Sequence, residues 1–439
     1  MAKQGYGNFA FLFEKDPVTY TDMLELESQL RLNYRWTGQR IRGALEVVLQ
    51  KVAEKHGLQA QLPEELLFSQ KLLKLLDHKA LSFSRPVLPY AEEIVTFTIP
   101  GANGISKTAK DTFYNFLNKL GNAFRDGQDA PAVPETSYPN TVLAMRLLHK
   151  ILKALYEADS APDFDPDQIP YGPFIPDATD DAADVLQGCD REVWAHSVNE
   201  AGQPEQYALL RVYRVDGKHA PRRQQLELRL QEVRKATIRC GLPVVTALNP
   251  NVKDSPFLVL AYIFRRDVRM LSNRLLETLA LPERLKLCKF LVESLHDLHK
   301  APLYHGSLDP TCVYIARVRA RLAAWVTKFD CTPFTPDLPL QDLGPEITGF
   351  LGRYIAPERG LSDLKTDPAR ADVYSLGVLL GDIVYGKLTN DLPATVFFHV
   401  SRMPIPVPLG RIIGEMCNKQ PQLRPTMAQV MEVFSEVIP

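Results

Sequence analysis

Through the first 156 positions apolar residues recur three and four apart, the spacing of one face of a helix. Ile41, Leu45, Val48 and Val52 form one such series, which Gly57 ends, and Val142, Met145, Leu148, Leu152 and Leu155 form another. Asp22 followed by Glu25 has the spacing of a capping box. Similar periodicity covers "PEELLFSQKLLKLLDHKAL" and "SKTAKDTFYNFLNKLGNAF", so residues 1–156 are expected to form an all-α bundle of about four or five helices. "RPVLPYAEEIVTFTIPGANG" interrupts the pattern with Pro and Gly punctuation around a β-prone run, and is expected to be an ordered excursion.

The pattern changes at Glu157. "EADSAPDFDPDQIPYGPFIPDATDDAADVLQGCD" contains neither Lys nor Arg, and residues 157–184 read as an acidic, Pro-rich linker. A solvated, extended spacer is the main expectation; docking on Arg222 and Arg223, or on the basic run from Arg317 to Arg321, is the sharper alternative. Residues 185–439 then read as strands first and helices later. "EVWAHSV", "YALLRVYRV" and "PFLVLAYIF" are β-rich, whereas "LPERLKLCKFLVESLHDLHKA" carries Leu285, Cys288, Val292 and Leu295 on one helical face. The fold class expected is therefore multidomain, an N-terminal all-α bundle followed by a two-lobed α+β domain.

Composition narrows the partners only a little. A formal net charge of −1 and 45% hydrophobic residues give no global field that would draw nucleic acid or an anionic membrane. The longest apolar run, Val373 to Gly386, is shorter than the ~20 residues of a membrane helix and contains Asp382, so it reads as a buried helix. The opening residues lack the plan of a secretory signal, and the six cysteines are scattered without zinc-like or disulfide-like spacing. A cytoplasmic protein without a membrane partner is expected, with neither metal site nor dedicated cofactor.

Four motifs in order make residues 185–439 resemble a protein kinase domain. "LHDLHKAPLYHGSLDP" stands where kinases have a long helix and the catalytic loop, and "RYIAPERG" keeps Ala356, Pro357 and Glu358 at the end of an activation segment. "ADVYSLGVLLGDIVYG" matches the central helix with its leading Asp372, and "LGRIIGEMCNKQPQLRPTMAQVMEVF" matches the closing helices with Arg424. The resemblance implies a buried Glu358–Arg424 ion pair and an Asp372 that accepts hydrogen bonds from the catalytic-loop backbone. Removing one member of such a buried pair costs about 3–5 kcal/mol.

The positions that carry phosphoryl transfer in that family hold other residues here. Transfer requires a strand lysine, a base at the acceptor hydroxyl, and an Asn and an Asp for the metal ions. The strand position is Arg211, whose implied helix partner is Glu232, with Glu227 as the alternative register. In the loop His305 is kept, but the base has become Ser307 and the metal-binding Asn has become Cys312, a soft ligand ill matched to Mg²⁺. In "VTKFDCTPF" either Asp330 takes the place of the metal-binding Asp, the preferred register, or Phe329 aligns with the motif's Phe and Lys328 replaces that Asp. Only Gly188 remains of the Gly-rich phosphate loop. Weak ATP binding and no Mg²⁺ are the resulting expectations.

"LRLNYRWTGQRIRGALEVVLQKVAEKHG" and "FYNFLNKLGNAFRDG" make residues 1–156 similar to the helical HEPN superfamily, whose active members cleave RNA with an Arg and a nearby His. Gly121 and Asn122 fit its late helix, but Asn118 stands near the Arg position and Asp126 at the His position. His149 follows Arg146 too closely for that spacing.

The two resemblances together imply a catalytically inactive pseudokinase joined to a degenerate HEPN-like module, acting as a protein-binding scaffold or regulator. Its protein partners are unknown from sequence, and homodimerisation through the bundle is open. One alternative is a phospho- or nucleotidyl-transferase with a rebuilt site using Asp309, Asp330 and Glu232. Another is an RNA-cleaving or RNA-binding helical module regulated by the pseudokinase; RNA is the less favoured partner.

Overall fold

A computed structural model describes residues 5–55, 57–59, 94–100, 106–126, 135–177, 189–198, 204–235, 243–250, 252, 255–265, 267–306, 308–318, 321–329, 351–360 and 367–438. Helix and sheet are mixed. The chain divides into two units, one of Met1–Asp180, Val193–Glu205 and Leu248–Val259, the other of Asp181–Glu192, Gln206–Ala247 and Leu260–Pro439.

The first unit opens with α1 (Pro17–Leu30) and α2 (Tyr34–Lys55). The cap of α1 is Asp16, whose carboxylate accepts the Thr19 amide at 3.0 Å, with Pro17 at the first helical position. Asp22 and Glu25, expected to start a helix, instead lie exposed on α1; the sequence contains a nearer acid in front of a proline, and that one wins. Helix α1 buries Tyr20, Met23, Leu26 and Leu30, and α2 buries Ile41, Leu45, Val48 and Leu49. The stop after α2 is Gly57, at φ +68°, where the Leu58 amide returns to the Ala53 carbonyl at 2.8 Å.

Strand β1 (Ile94–Ile99) pairs antiparallel with β2 (Lys107–Thr112), Ile94 opposite Thr112 and Ile99 opposite Lys107. Residues 107–112 are therefore strand, not the expected helix. Their own sequence is poor in β-formers, but β1 offers hydrogen bonds along its whole length, and pairing overrides local propensity. Helix α3 (Phe113–Asp126) follows directly, then α4 (Tyr138–Leu155), which buries Ala144, Met145, Leu148, Ile151 and Leu152. The helical segment expected at 63–81 lies outside the described residues.

Residues 157–177 are not a solvated spacer. Phe164, Ile169, Tyr171 and Phe174 are buried, and the Phe164 ring lies 6.5 Å from Phe9 and 5.8 Å from His149. Arg31 donates to the Pro166 carbonyl at 2.6 Å and stands 4.2 Å over the Tyr171 ring. The acids of this stretch face water while its aromatic residues anchor it, and a charge count registers only the first. Strand β3 (Ile175–Pro176) ends the stretch and pairs antiparallel with β4 (Arg191–Val198), Ile175 opposite His196. The rest of the expected linker, with Gly188, lies outside the described residues.

Strand β5 (Pro204–Arg214), in the second unit from Gln206 on, leads to α5 (Ala220–Lys235), β6 (Val244–Ala247) and β7 (Phe257–Phe264), in the second unit from Leu260 on, with β7 between β5 and β6. Asp190, the last acid of the acidic stretch, lies 3.2 Å from Arg222 and accepts the Arg214 amide at 2.6 Å. A second small sheet has the order β10 (Arg321–Val326), β9 (Val313–Val318), β8 (Arg269–Met270). The helices are α6 (Asn273–Glu277), α7 (Leu281–Lys300), α8 (Pro368–Tyr385), α9 (Pro393–Val400), α10 (Val407–Met416) and α11 (Met427–Val437).

Helix α8 is buried on all sides from Ala371 to Val384, which is why its sequence is apolar without a polar stripe. A Cβ at Gly377 would come within 2.6 Å of the Met416 Cβ, so only glycine permits this approach of α8 and α10. Among the described residues no helix is long and apolar enough to cross a membrane.

Candidate functional site: a buried charge network

Arg211 stands on β5 with its side chain wholly buried. Burial of a guanidinium demands a counter-charge. Its partner is Glu192 of β4, with Arg211 Nε 3.0 Å from Glu192 Oε1. The other carboxylate oxygen of Glu192 lies 2.9 Å from Lys328 Nζ, and Lys328 is 1% exposed. Lys328 also donates to Thr311 Oγ1 at 3.0 Å, and Thr311 donates to Asp309 Oδ1 at 2.6 Å. One carboxylate thus bridges two buried cations, and a hydroxyl links the second cation to another acid. The Lys328 backbone has φ +64°, a conformation costly for a side-chain-bearing residue.

The glutamate expected beside Arg211 is elsewhere. The Glu232 side chain is 60% exposed on α5 and lies 3.5 Å from Arg229, and Glu227 lies 3.6 Å from Arg223. Neither register of the helix supplies the partner, because the adjoining strand already does. Nothing in the local pattern of "REVWAHSV" marks Glu192 as an inward charge.

The loop around His305 is organised from below by Asp372. Asp372 accepts the His305 and Gly306 amides, both at 2.7 Å, and the His299 imidazole at 3.1 Å. Burial pushes the Asp372 carboxyl up, but His299 and the Gly306 amide outweigh it, and its pKa lies below the ordinary value. His305 Nε2 donates to the Thr327 carbonyl at 2.8 Å, and burial pushes the imidazole pKa below its ordinary value against the pull of Asp372. Arg359 donates to the Gly306 carbonyl. Cys312 is buried, its Sγ 3.7 Å from Asp309 Oδ1, whose carboxylate also caps the turn by accepting the Thr311 amide at 2.7 Å. Ser307 and Asp330 lie outside the described residues.

Below this loop, Arg424 holds Glu358 by two parallel hydrogen bonds of 2.6 and 2.8 Å. Its remaining donors reach the Asn418 and Arg370 carbonyls at 2.8 and 2.9 Å. Ala356 is buried and Pro357 exposed beside the pair. Asp382 of α8 accepts Arg353 at 2.7 Å and Tyr354 at 2.5 Å, and burial pushes its carboxyl up to about 6. The segment running from Arg353 to Arg359 is therefore tied down at two buried acids, Asp382 and Glu358, and at the Gly306 carbonyl.

In the first unit Asn118, Gly121, Asn122 and Asp126 all fall on α3; Asn118 is half-buried, and the side chains of the other three are outside the described residues. His149 is buried among Phe9, Phe11 and Phe164 and donates to the Asn8 carbonyl at 2.9 Å, while Arg146 is exposed. Burial pushes the His149 pKa down to about 4. The two residues do not converge.

Among the described residues no group of three or more His, Cys, Asp or Glu side chains is placed to hold a metal ion. No family model matches the chain. Over 114 residues, 26% of this chain and 16% of the relative, the sequence is 32% identical to the leucine-rich repeat receptor-like serine/threonine/tyrosine-protein kinase SOBIR1 of Arabidopsis thaliana. The chain thus spans about one sixth of the length of that curated relative, a partial likeness to a receptor-like kinase.

Proposed function

We propose that residues 185–439 form a protein pseudokinase and that the protein works by binding other proteins, as a scaffold or regulator, with residues 1–156 serving as a non-cleaving HEPN-like helical module. The observation that carries this reading is the Arg211–Glu192–Lys328 network. Phosphoryl transfer needs a strand lysine that meets phosphate while paired with a helix glutamate, and an acid to hold Mg²⁺. In this reading the strand cation is an arginine held by a strand carboxylate, Glu192, in place of a helix glutamate, and a cation, Lys328, stands where the metal-binding acid belongs. Full burial of Phe329, whose ring meets Tyr262 edge-on at 5.2 Å, favours the register in which Lys328 replaces that acid.

The Glu358–Arg424 pair and the Asp372 hydrogen bonds support a maintained scaffold beneath an altered site. A lysine ammonium repels a divalent cation, and Cys312 is a poor ligand for a hard one. The test is incubation of the full chain with labelled ATP and Mg²⁺ or Mn²⁺, with and without generic protein substrates. No incorporation above the protein-free control, and no metal-dependent thermal shift by ATP, is expected. Clear metal-dependent autophosphorylation overturns the reading.

A further inference from the structure

Helix α5 carries an attachment that the motif comparison does not contain. Arg229 points inward from the helix, its side chain 12% exposed. Its Nε donates to the Phe329 carbonyl at 3.2 Å, and its Nη2 donates to the Tyr304 carbonyl. Its Nη1 lies 3.5 Å from Glu232 one turn along the same helix. The two acceptors belong to different loops. Tyr304 immediately precedes His305, and Phe329 immediately follows Lys328, so one guanidinium reaches both strands of chain that flank the buried network.

The two bonds use what only arginine has, several donors held in one rigid plane that can meet two separated acceptors. Apolar contact supplies the rest of the seat, since Leu226, Leu230 and Val233 are buried on the same side of α5. Active protein kinases set the corresponding helix by an ion pair between its glutamate and the strand lysine. Here neither Glu227 nor Glu232 is paired with Arg211, and Glu232 instead flanks the guanidinium of Arg229.

We propose that Arg229 is the positioning residue that staples helix α5 to the loops of His305 and Phe329, giving the helix a single seated position without nucleotide or metal. The consequence for function rests on the pseudokinase reading: the surface that α5 presents to a partner is permanent, not switched by ligand. The attachment itself rests only on the geometry.

Hydrogen exchange of the full chain tests it. Arg229→Ala is expected to speed exchange in 220–235 by about tenfold or more, the worth of hydrogen bonds from a charged group, while 371–384 keeps wild-type protection. Millimolar ethylguanidinium is expected to restore protection in Arg229→Ala, and ethylammonium is not, because only the former has the planar fork. Arg229→Lys is expected to fall between wild type and Arg229→Ala, and it serves as the reading if the alanine variant loses protection everywhere. Glu232→Ala is expected to match wild type. Unchanged exchange of 220–235 in Arg229→Ala and Arg229→Lys overturns the staple. Strong protection of wild-type α5 by ATP and Mg²⁺ overturns the single position. Phosphoryl transfer by a wild type whose Arg229 variants behave as expected defeats the pseudokinase reading alone.

Discussion

Lys328 Nζ lies 2.9 Å from Glu192 Oε2, and the same carboxylate meets Arg211 at 3.0 Å, so Glu192 bridges the two buried cations. Neutralising it takes from both buried cations the carboxylate they share. Glu192→Gln is expected to destabilise the second unit by about 3–5 kcal/mol, whereas Lys328→Met costs less because Glu192 keeps Arg211. Denaturant unfolding read by exchange in α7 and α8 checks the order of the two variants. Equal losses would show that the three charges do not act as one network.

Arg424 grips Glu358 through both carboxylate oxygens and spends its other donors on backbone carbonyls. Arg424→Lys retains the charge but loses the fork, so the loss is expected to approach that of Arg424→Ala, about 3 kcal/mol or more. The measurement is the thermal midpoint of the two variants side by side.

Glu27 sits buried in α1, its Oε1 accepting the Asn8 amide at 3.2 Å and the Asn8 side chain at 2.5 Å. Burial pushes its pKa up from 4.5 to about 7 against the opposing pull of Asn8 and Arg31. The folded state holds the proton where the unfolded chain has lost it. The contribution of Glu27 to the stability of the first unit is therefore full below pH 4.5 and is lost as pH rises through about 7, by a total on the order of 3 kcal/mol. Glu27→Gln is expected to flatten this dependence and to be more stable than wild type at pH 8, as urea titrations at pH 5 and pH 8 would show.

His149 has the opposite sign. Its pKa is lowered by burial from 6.5 to about 4, so its contribution is full above pH 6.5 and is lost as pH falls through 4. Because it is enclosed by aromatic rings while Arg146 is exposed, labelled transfer RNA incubated with the full chain is expected to remain intact at pH 5 through 8. Discrete cleavage products abolished by His149→Ala would reverse the assignment of this module.

Much of the second unit was legible because its elements announce themselves locally. The run from Val373 to Gly386 is apolar on every face, and a helix that is apolar all round has to be buried, as α8 is. Asp372, Glu358 and Arg424 could be named because spaced motifs surround them, and the structure brings Glu358 to Arg424 and Asp372 to the His305 loop. Glu192 and Arg229 had no such signal. Each is one charged residue among many, and its meaning comes from the carbonyl or cation that another part of the chain delivers to it.

The same division holds in the first unit. Helical spacing by itself determined α2 and α4, because a periodic apolar face is a property of neighbouring residues. Tertiary structure alone decided that 107–112 pairs as a strand, that the aromatic residues of 157–177 are buried beneath its acids, and that Arg211 meets Glu192 and not Glu232. The physical reason is range. Periodicity is written within a few turns of chain, whereas a strand's partner and a buried charge's counter-ion are chosen by elements far away in sequence, whose proximity exists only once the chain has folded.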